Sequence, residues 1–184
     1  LTEKHYGSHD GDPATWSDEK RRAYGFAYRA LTLKCLEQRQ TDKGWQYFHQ
    51  AVAIYPELLE RTDTFYELAC GDQPAGLRGA AHLLDIRANG AEMLRRLDEL
   101  FSSAEPPVQQ RRGIALGNAY LSLGMLSDQA GRWPEARRYV ARAIRANPKL
   151  LRSQSVVRRL LKLCVGRRMV DAARGLVHSG ADTL

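Results

Sequence analysis

The sequence has few cysteines and no long apolar run. Its 184 residues include only three cysteines, Cys35, Cys70 and Cys164. They lie far apart, without the paired spacing of zinc ribbons or redox motifs, which indicates reduced thiols in a cytoplasmic setting. No apolar stretch reaches the roughly 18 residues of a membrane span, and the first residues lack the apolar segment of a signal peptide. The sequence therefore predicts neither a membrane span nor an export signal.

Motifs for catalysis, metal binding and nucleotide binding are also missing. His5 and His9 have a spacing that could hold a divalent metal, but the neighbouring glycines disfavour the helix that would bring them together. The remaining histidines have no Ser, Cys or Asp placed for a relay. The glycines at 76–79 lack the Lys-Ser/Thr of a phosphate-binding loop. We predict no catalytic residue, no metal site and no cofactor.

Charge is distributed unevenly along the chain. The net charge is +7, yet residues 1–107 hold 13 basic against 17 acidic residues, and residues 108–184 hold 15 against 4. The basic end is a candidate anion-facing surface. Its predicted patch consists of Arg158, Arg159, Lys162, Arg167 and Arg168. A purely solubilising role stays open for these residues, whereas nucleic acid is disfavoured because no aromatic stacking set accompanies them.

An internal repeat is the strongest signal in the sequence. A shift of 92 residues aligns 23–59 with 115–151 without a gap and gives ten identities in 37 positions, where composition alone would give about two or three. The identical pairs are Ala23/Ala115, Gly25/Gly117, Ala27/Ala119, Tyr28/Tyr120, Leu31/Leu123, Tyr47/Tyr139, Ala51/Ala143, Pro56/Pro148, Leu58/Leu150 and Leu59/Leu151. The chain therefore contains two copies of one unit.

Each copy reads as a helix, a turn, a second helix and a stop. Apolar residues recur at helical spacing in both halves of each copy, and Pro134 is placed to open a helix, where its missing N–H costs nothing. Asn147-Pro148 and Tyr55-Pro56 end the two units. The stripe residues predicted to be buried are Tyr28, Leu31, Phe48, Ala51, Tyr120, Leu123, Ala136, Val140 and Ala143.

This pattern resembles the tetratricopeptide (TPR) signature. The residues that match it are Tyr120, Leu123, Gly124, Ala136, Val140, Ala143 and Pro148. The resemblance implies an all-α fold of the TPR-like helical-repeat type, an α-α superhelix of antiparallel helix pairs with an irregular middle repeat and C-terminal capping helices. The first copy departs at Thr32, where Gly is usual, and at Gly44, where Ala is usual, so looser packing is expected there.

Domain boundaries follow from the repeat. We predict a lead segment 1–18 and one domain 19–184, with copies at about 25–58 and 117–150, an irregular helical insert 59–107 and a cap 150–178. Within the insert, helices are expected at Glu57–Cys70, at Leu77 to about Arg87, and from a start near Asn89, capped by its side chain, to Phe101. The cap is expected to hold helices Leu150–Cys164 and Met169–Val177.

A wider resemblance covers nearly the whole chain. The order of Asp12–Trp16, Asp63–Pro74, Asn89–Met93, Arg145–Pro148 and Leu160–Leu163 is similar to the helical region that follows the catalytic domain in some bacterial family 2 glycosyltransferases. This implies a non-catalytic interaction module, with the catalytic domain upstream of Leu1. The basic end would then face an anionic membrane surface or an acidic glycan, on a protein that is cytoplasmic or peripheral at the inner face of the membrane. A free-standing TPR adaptor remains the alternative.

The TPR resemblance also implies where a partner would bind. The first helix of each pair lines the concave face, which would present Phe26, Arg29, Leu33 and Leu36 from one copy and Asn118, Leu121, Met125 and Asp128 from the other. Two interpretations stay open, because exposed apolar residues require a cover. Either a protein or peptide partner occupies this groove, or the extra middle segment covers it.

Overall fold

The computed structural model describes residues 12–73 and 80–165, except for the side chains of residues 159 and 163–165. Regular structure in this part of the chain is entirely helical, which confirms the predicted all-α class. The described residues form eight α-helices, which are α1 (Asp18–Glu37), α2 (Thr41–Ile54), α3 (Thr62–Cys70), α4 (Ile86–Ser103), α5 (Pro106–Gln109), α6 (Arg112–Gln129), α7 (Trp133–Ala146) and α8 (Gln154–Val165). Short 3-10 turns at Pro13–Thr15, Pro56–Glu60, Ala81–Leu83 and Pro148–Arg152 connect them.

The repeat is reproduced in the backbone. Helices α2 and α7 both have 14 residues, begin 92 positions apart, and are followed by equivalent 3-10 turns. The turns between the paired helices also match, since Arg39 has φ 59° and the equivalent Gly131 has φ 73°. Helices α3 and α8 begin 92 positions apart as well. The repeating unit is therefore longer than the sequence alignment indicated, because it includes a third helix.

Two glycines fix how closely the paired helices meet. A Cβ atom at Gly25 would lie 2.5 Å from Tyr55 Cβ, and one at Gly117 would lie 2.5 Å from Asn147 Cβ. Tyr55 and Asn147 are the residues before the two prolines, and both have nearly the same φ, −136° and −138°. Each hairpin thus closes on the same contact between a glycine and the residue that ends the second helix.

The departures of the first copy from the TPR pattern offset each other. In the second copy Gly124 lies on α6 and approaches Val140, with Ala136 opposite on α7. In the first copy the small residue is on the other helix, because Gly44 of α2 brings its backbone against the carbonyl of Thr32. Thr32 and Gly44 are both buried. The expectation of looser packing at these positions is therefore not met. The larger Thr32 on α1 is accommodated because the residue opposite it on α2 is the glycine Gly44.

The middle segment differs from its prediction at one helix start. Helix α4 begins at Ile86, where Asp85 Oδ1 accepts from the backbone N–H of Ala88 at 3.0 Å. Asn89 was expected to cap this helix, but its side chain instead donates to the carbonyls of Ala69 and Cys70, at 3.3 and 3.2 Å. It therefore satisfies the free carbonyl groups at the end of α3.

The other predicted boundaries agree in part. The expected helix from Glu57 to Cys70 is divided at Arg61 into a 3-10 turn and α3. The expected helix over 77–87 is replaced, in its described part, by the 3-10 turn Ala81–Leu83 and the start of α4. In the cap, a 3-10 turn and α8 occupy the first predicted helix, and Met169–Val177 lies outside the described residues.

The predicted core is confirmed at six of its nine positions: Phe48, Ala51, Leu123, Ala136, Val140 and Ala143 are 0 % exposed. Tyr28 and Tyr120 are only half-buried and face Tyr47 and Tyr139, with ring centroids 6.0 and 6.5 Å apart. The prediction for Leu31 was wrong, because this side chain is 42 % exposed.

A neighbouring helix explains the contrast between Leu31 and its equivalent Leu123. Helix α4 packs on α6, and its Gly90 lies so close that a Cβ there would come within 2.8 Å of Leu123 Cδ2. No described helix precedes α1 and occupies the same place beside Leu31. The burial of this stripe therefore depends on the preceding helix pair.

We predict that Leu123→Ala lowers the free energy of unfolding by roughly 2 to 5 kcal/mol, because it deletes a fully buried side chain. Leu31→Ala changes the same residue type at the equivalent, exposed position and should cost less than about 1 kcal/mol. Urea denaturation of both variants measures the difference. Equal losses would show that Leu31 and Leu123 are packed alike.

A second prediction concerns the left-handed residue Arg39. Such a conformation costs a non-glycine residue roughly 1 to 2 kcal/mol, and the equivalent position is already glycine. Arg39→Gly should raise the free energy of unfolding by about 0.5 to 1 kcal/mol, after allowance for the larger backbone entropy of glycine in the unfolded chain. Asp72→Asn is the control for the exposed Arg39–Asp72 ion pair. If Arg39→Gly lowers the free energy of unfolding by more than the Asp72→Asn control does, the backbone of Arg39 is not strained.

Candidate functional site

The predicted groove residues lie on helices α1 and α6, each of which is linked to α3 by polar contacts. Arg29 of α1 lies 3.5 Å from both Asp63 and Glu67 of α3. The Tyr66 hydroxyl of α3 donates to Gln129 of α6 at 2.8 Å. These contacts join α1 to α3 and α3 to α6.

Three of the eight predicted groove residues are buried within the chain. Leu36 and Leu121 are each 5 % exposed and Asn118 is 3 % exposed. Leu36 belongs to the main core together with Trp45. Leu121 packs in a smaller cluster with Val156 of α8. The middle segment, which was the expected cover in the second interpretation, contacts Asn118 through Leu59 and Thr62. Leu36 and Leu121 are instead covered from α2 and α8.

Asn118 acts as a structural link between the copies. Its Nδ2 donates to the carbonyl of Leu59 at 3.2 Å, and its Oδ1 accepts from the Thr62 hydroxyl at 3.1 Å. The neighbouring Ser122 hydroxyl donates to the carbonyl of Thr62 at 3.0 Å. Because buried polar groups are costly when unpaired, these bonds fix α6 against the start of α3.

Two charged groove residues also bind neighbouring helices. Asp128 of α6 is paired with Lys162 of α8 at 3.3 Å, and Arg29 is paired across to α3 as described above. Burial alone would raise the pKa of Asp63, but the hydrogen bond from Arg61 and the charge of Arg29 outweigh it and hold that pKa below its usual value. The carboxylate of Asp63 is therefore ionised and joins α1 to α3 at neutral pH.

The accessible part of the face is apolar with a cationic border. Phe26, Leu33 and Met125 are half-buried. The guanidinium carbons of Arg22, Arg29 and Arg61 lie 5.9, 5.9 and 5.2 Å from the centre of the Phe26 ring, within the range of cation–π interaction. Arg29 and Arg61 pair with Asp63, whereas Arg22 has no carboxylate at ion-pair distance among the described residues. This surface can take an apolar side chain next to an acidic group.

A half-open cleft of about 530 Å³ lies among the ends of α1, α2, α3 and α4. Trp45, Leu68 and Met93 contribute apolar lining, and the rim contains the ion pair of Arg39 with Asp72 at 2.9 Å. Glu92 on the same rim is bound by Arg95 and Arg96, which lower the pKa of Glu92 to about 2. Glu92 is therefore ionised at neutral pH, which makes it a poor proton donor or acceptor there.

A smaller cleft of about 270 Å³ separates α2 from the end of α4 and from α5. Its lining is mainly apolar and includes Val52, Leu100 and Val108. His49 also contributes, and burial, with the nearby charge of Arg96, lowers the pKa of His49. A neutral imidazole packed beside apolar residues is expected here to serve the fold.

The predicted anion-facing patch is described only in part. Arg158 is exposed, and Lys162 is paired with Asp128. Arg167 and Arg168 lie outside the described residues, as does the side chain of Arg159. The structure adds a basic surface that the prediction did not select, formed by exposed Arg138, Arg142, Arg145, Lys149 and Arg152 on α7 and the following turn.

This additional basic surface had a signal in the sequence. The repeat aligns those five residues with Gln46, Gln50, Ala53, Glu57 and Glu60 of the first copy. Equivalent positions of one fold thus carry neutral or acidic residues in one copy and only basic residues in the other. Comparison of the copies at surface positions would have identified the difference.

Neither a metal site nor a membrane span is present in the described part. No three His, Cys, Asp or Glu side chains there are grouped to hold a metal ion, and none of its helices combines the length and apolarity needed to cross a bilayer. Cys35 and Cys70 are buried and are not joined in a disulfide. Comparisons with protein-family models, with curated proteins and with solved structures gave no match. Function must therefore be argued from the surface itself.

We predict that Asn118→Ala lowers the free energy of unfolding by about 1 to 3 kcal/mol, because it leaves the Leu59 carbonyl and the Thr62 hydroxyl without a partner. Ser102→Ala removes an exposed hydrogen bond to the Glu99 carbonyl and is the control, expected to change stability by less than about 0.5 kcal/mol. Chemical denaturation measures both. If Asn118→Ala leaves the free energy of unfolding unchanged, Asn118 does not have a structural role and remains a candidate groove residue.

Proposed function

We propose that this chain is a non-catalytic, TPR-like interaction module that binds a protein or peptide partner. The single observation that supports it best is the 92-residue repeat of helix, turn, helix and 3-10 turn, with the same glycine contact in each hairpin. Units of this kind bury their apolar faces by stacking on one another, and they present the first helices of successive pairs on a common face. The polar contacts among α1, α3, α6 and α8 fit that arrangement.

The partner-binding surface in this proposal is narrower than the groove predicted from sequence. It consists of Phe26, Leu33 and Met125, with Arg22 and Arg61 at its border. Leu36, Asn118 and Leu121 belong to the interior, while Arg29 and Asp128 hold adjacent helices together. An extended or helical peptide would place an apolar side chain against Phe26 and an acidic group near Arg22, because Arg22 is the cation there without a described carboxylate partner.

The proposal has two forms. In the first, the chain is the C-terminal region of a bacterial family 2 glycosyltransferase and positions that enzyme, with its basic end toward an acidic glycan or the inner face of a membrane. In the second, it is a cytoplasmic adaptor without an attached enzyme. Both forms need the same stacked helices. They differ in what precedes Leu1, where a family 2 enzyme carries alternating strands and helices with an Asp-any-Asp motif.

The experiment that tests the module is selection of peptide ligands. Random peptides displayed on phage are selected against the whole chain, and the enriched peptides are titrated by fluorescence anisotropy. Phe26→Ala should weaken binding by about tenfold or more, because it removes the central aromatic contact. Arg22→Glu should weaken the binding of peptides that carry an acidic residue.

Leu83→Ala is the matched control, since Leu83 is 58 % exposed and lies in the 3-10 turn Ala81–Leu83, outside the proposed surface. Its affinity should equal that of the wild type. Enriched peptides that bind Phe26→Ala as well as wild type, or a selection that enriches nothing, would refute the proposed surface.

A further inference from the structure

The 3-10 turn after the second helix of each copy has different surroundings in the two copies. In the first copy, turn Pro56–Glu60 lies against α6 and its Leu59 is 0 % exposed. In the second copy, the equivalent turn is Pro148–Arg152 and its Leu151 is 49 % exposed. The same leucine, in the same turn, is thus covered in one copy and open in the other.

Helix α6 and the residue before it provide the cover in the first copy. Asn118 donates to the carbonyl of Leu59, and Arg111 forms ion pairs with Glu57 and Glu60, each at 2.9 Å. The buried contact of Leu59 is therefore combined with one basic residue, Arg111, that forms ion pairs with two acidic ones. This is a complete docking arrangement for a helix, and it is visible within the chain itself.

In the second copy the charges of this arrangement are reversed. Glu57 and Glu60 are replaced by Lys149 and Arg152, and Ala53 of the adjoining helix is replaced by Arg145. None of these three basic residues lies at ion-pair distance from a carboxylate in the described part of the chain. We name Ile144, Arg145, Pro148, Lys149, Leu151 and Arg152 the terminal edge. In the first copy, the equivalents Val52, Ala53 and Pro56 line the cleft against α4 and α5.

We propose that the terminal edge docks an acidic α-helix of a partner protein, in the position that α6 takes on the first copy. The apolar part of that helix would cover Leu151, and its acidic residues would pair with Lys149 and Arg152. Charge complementarity selects this occupant, since a helix with a basic start, like Arg111 and Arg112 at α6, would meet like charges. The edge is separate from the Phe26 surface, so either can fail without the other.

The probe is a peptide of residues 104–125 of this chain, which contains the docking part of α6. In one version Arg111 and Arg112 are both replaced by Glu, and the unchanged peptide is its control. By fluorescence anisotropy at low salt, the acidic peptide should bind the whole chain about tenfold more tightly than the unchanged peptide. Higher salt should reduce this preference, because the contacts are between charges at the surface.

Charge-swap variants decide whether the terminal edge is the site. Lys149→Glu with Arg152→Glu should reverse the preference, so that the unchanged basic peptide binds more tightly. Lys34→Glu with Lys43→Glu makes the same change in net charge on exposed residues of the first copy and should retain the wild-type preference. Leu151→Asp should weaken both peptides. Circular dichroism checks that each variant keeps its helices.

Four outcomes would overturn the proposal. Absence of acidic-peptide binding would do so, and so would binding that survives Lys149→Glu with Arg152→Glu. A salt-sensitive dimer of the wild type that these changes abolish, seen by sedimentation equilibrium, would assign the edge to a second copy of the chain. Co-sedimentation with phosphatidylserine vesicles, lost on the same changes while the acidic peptide does not bind, would assign it to a lipid surface.

Discussion

The fold depends on how the turn Pro56–Glu60 is buried against α6. Each copy brings its own hairpin together through a glycine that meets the residue before a proline, but that contact is local. The turn links residues of the first copy directly to the first helix of the second copy, beside the contacts that α3 makes with the same helix. It does so with an apolar contact, a buried amide from Asn118 and the paired charges of Arg111.

The sequence predicted those features that depend on local spacing. The copied stripes predicted the hairpins, and Pro134 marked the start of α7, so the helix class and the repeat unit followed from composition and periodicity. Burial across the junctions was harder to predict. Leu31 and Leu123 occupy equivalent positions of the repeat, yet among the described helices only those before Leu123 include a pair that covers it. Asn118 matched a concave surface position by spacing, but its amide is used inside the fold.

Sequence spacing selected the candidate groove positions but not the contacts that their side chains make. Of the selected residues, Phe26, Leu33 and Met125 are half-buried. Spacing could not show that Arg29 and Asp128 would pair across to α3 and α8, because those contacts require the helices to be assembled. The opposite charges of equivalent turn residues were visible in the alignment of the copies. Their role could be inferred only from the assembled structure, in which α6 and Arg111 contact the turn of the first copy.

The contact between Asn118 and Leu59 also has a consequence for synthesis of the protein. The two residues are 59 positions apart, so the turn of the first copy leaves the ribosome well before the helix that covers it. At about 5 to 20 residues per second, this delay is roughly 3 to 12 seconds. During that interval Leu58 and Leu59 have no α6 to pack against, and the nascent chain displays the same kind of open apolar turn that the finished protein keeps at Leu151. During this interval residues 56–60 are accessible to a chaperone that binds apolar segments.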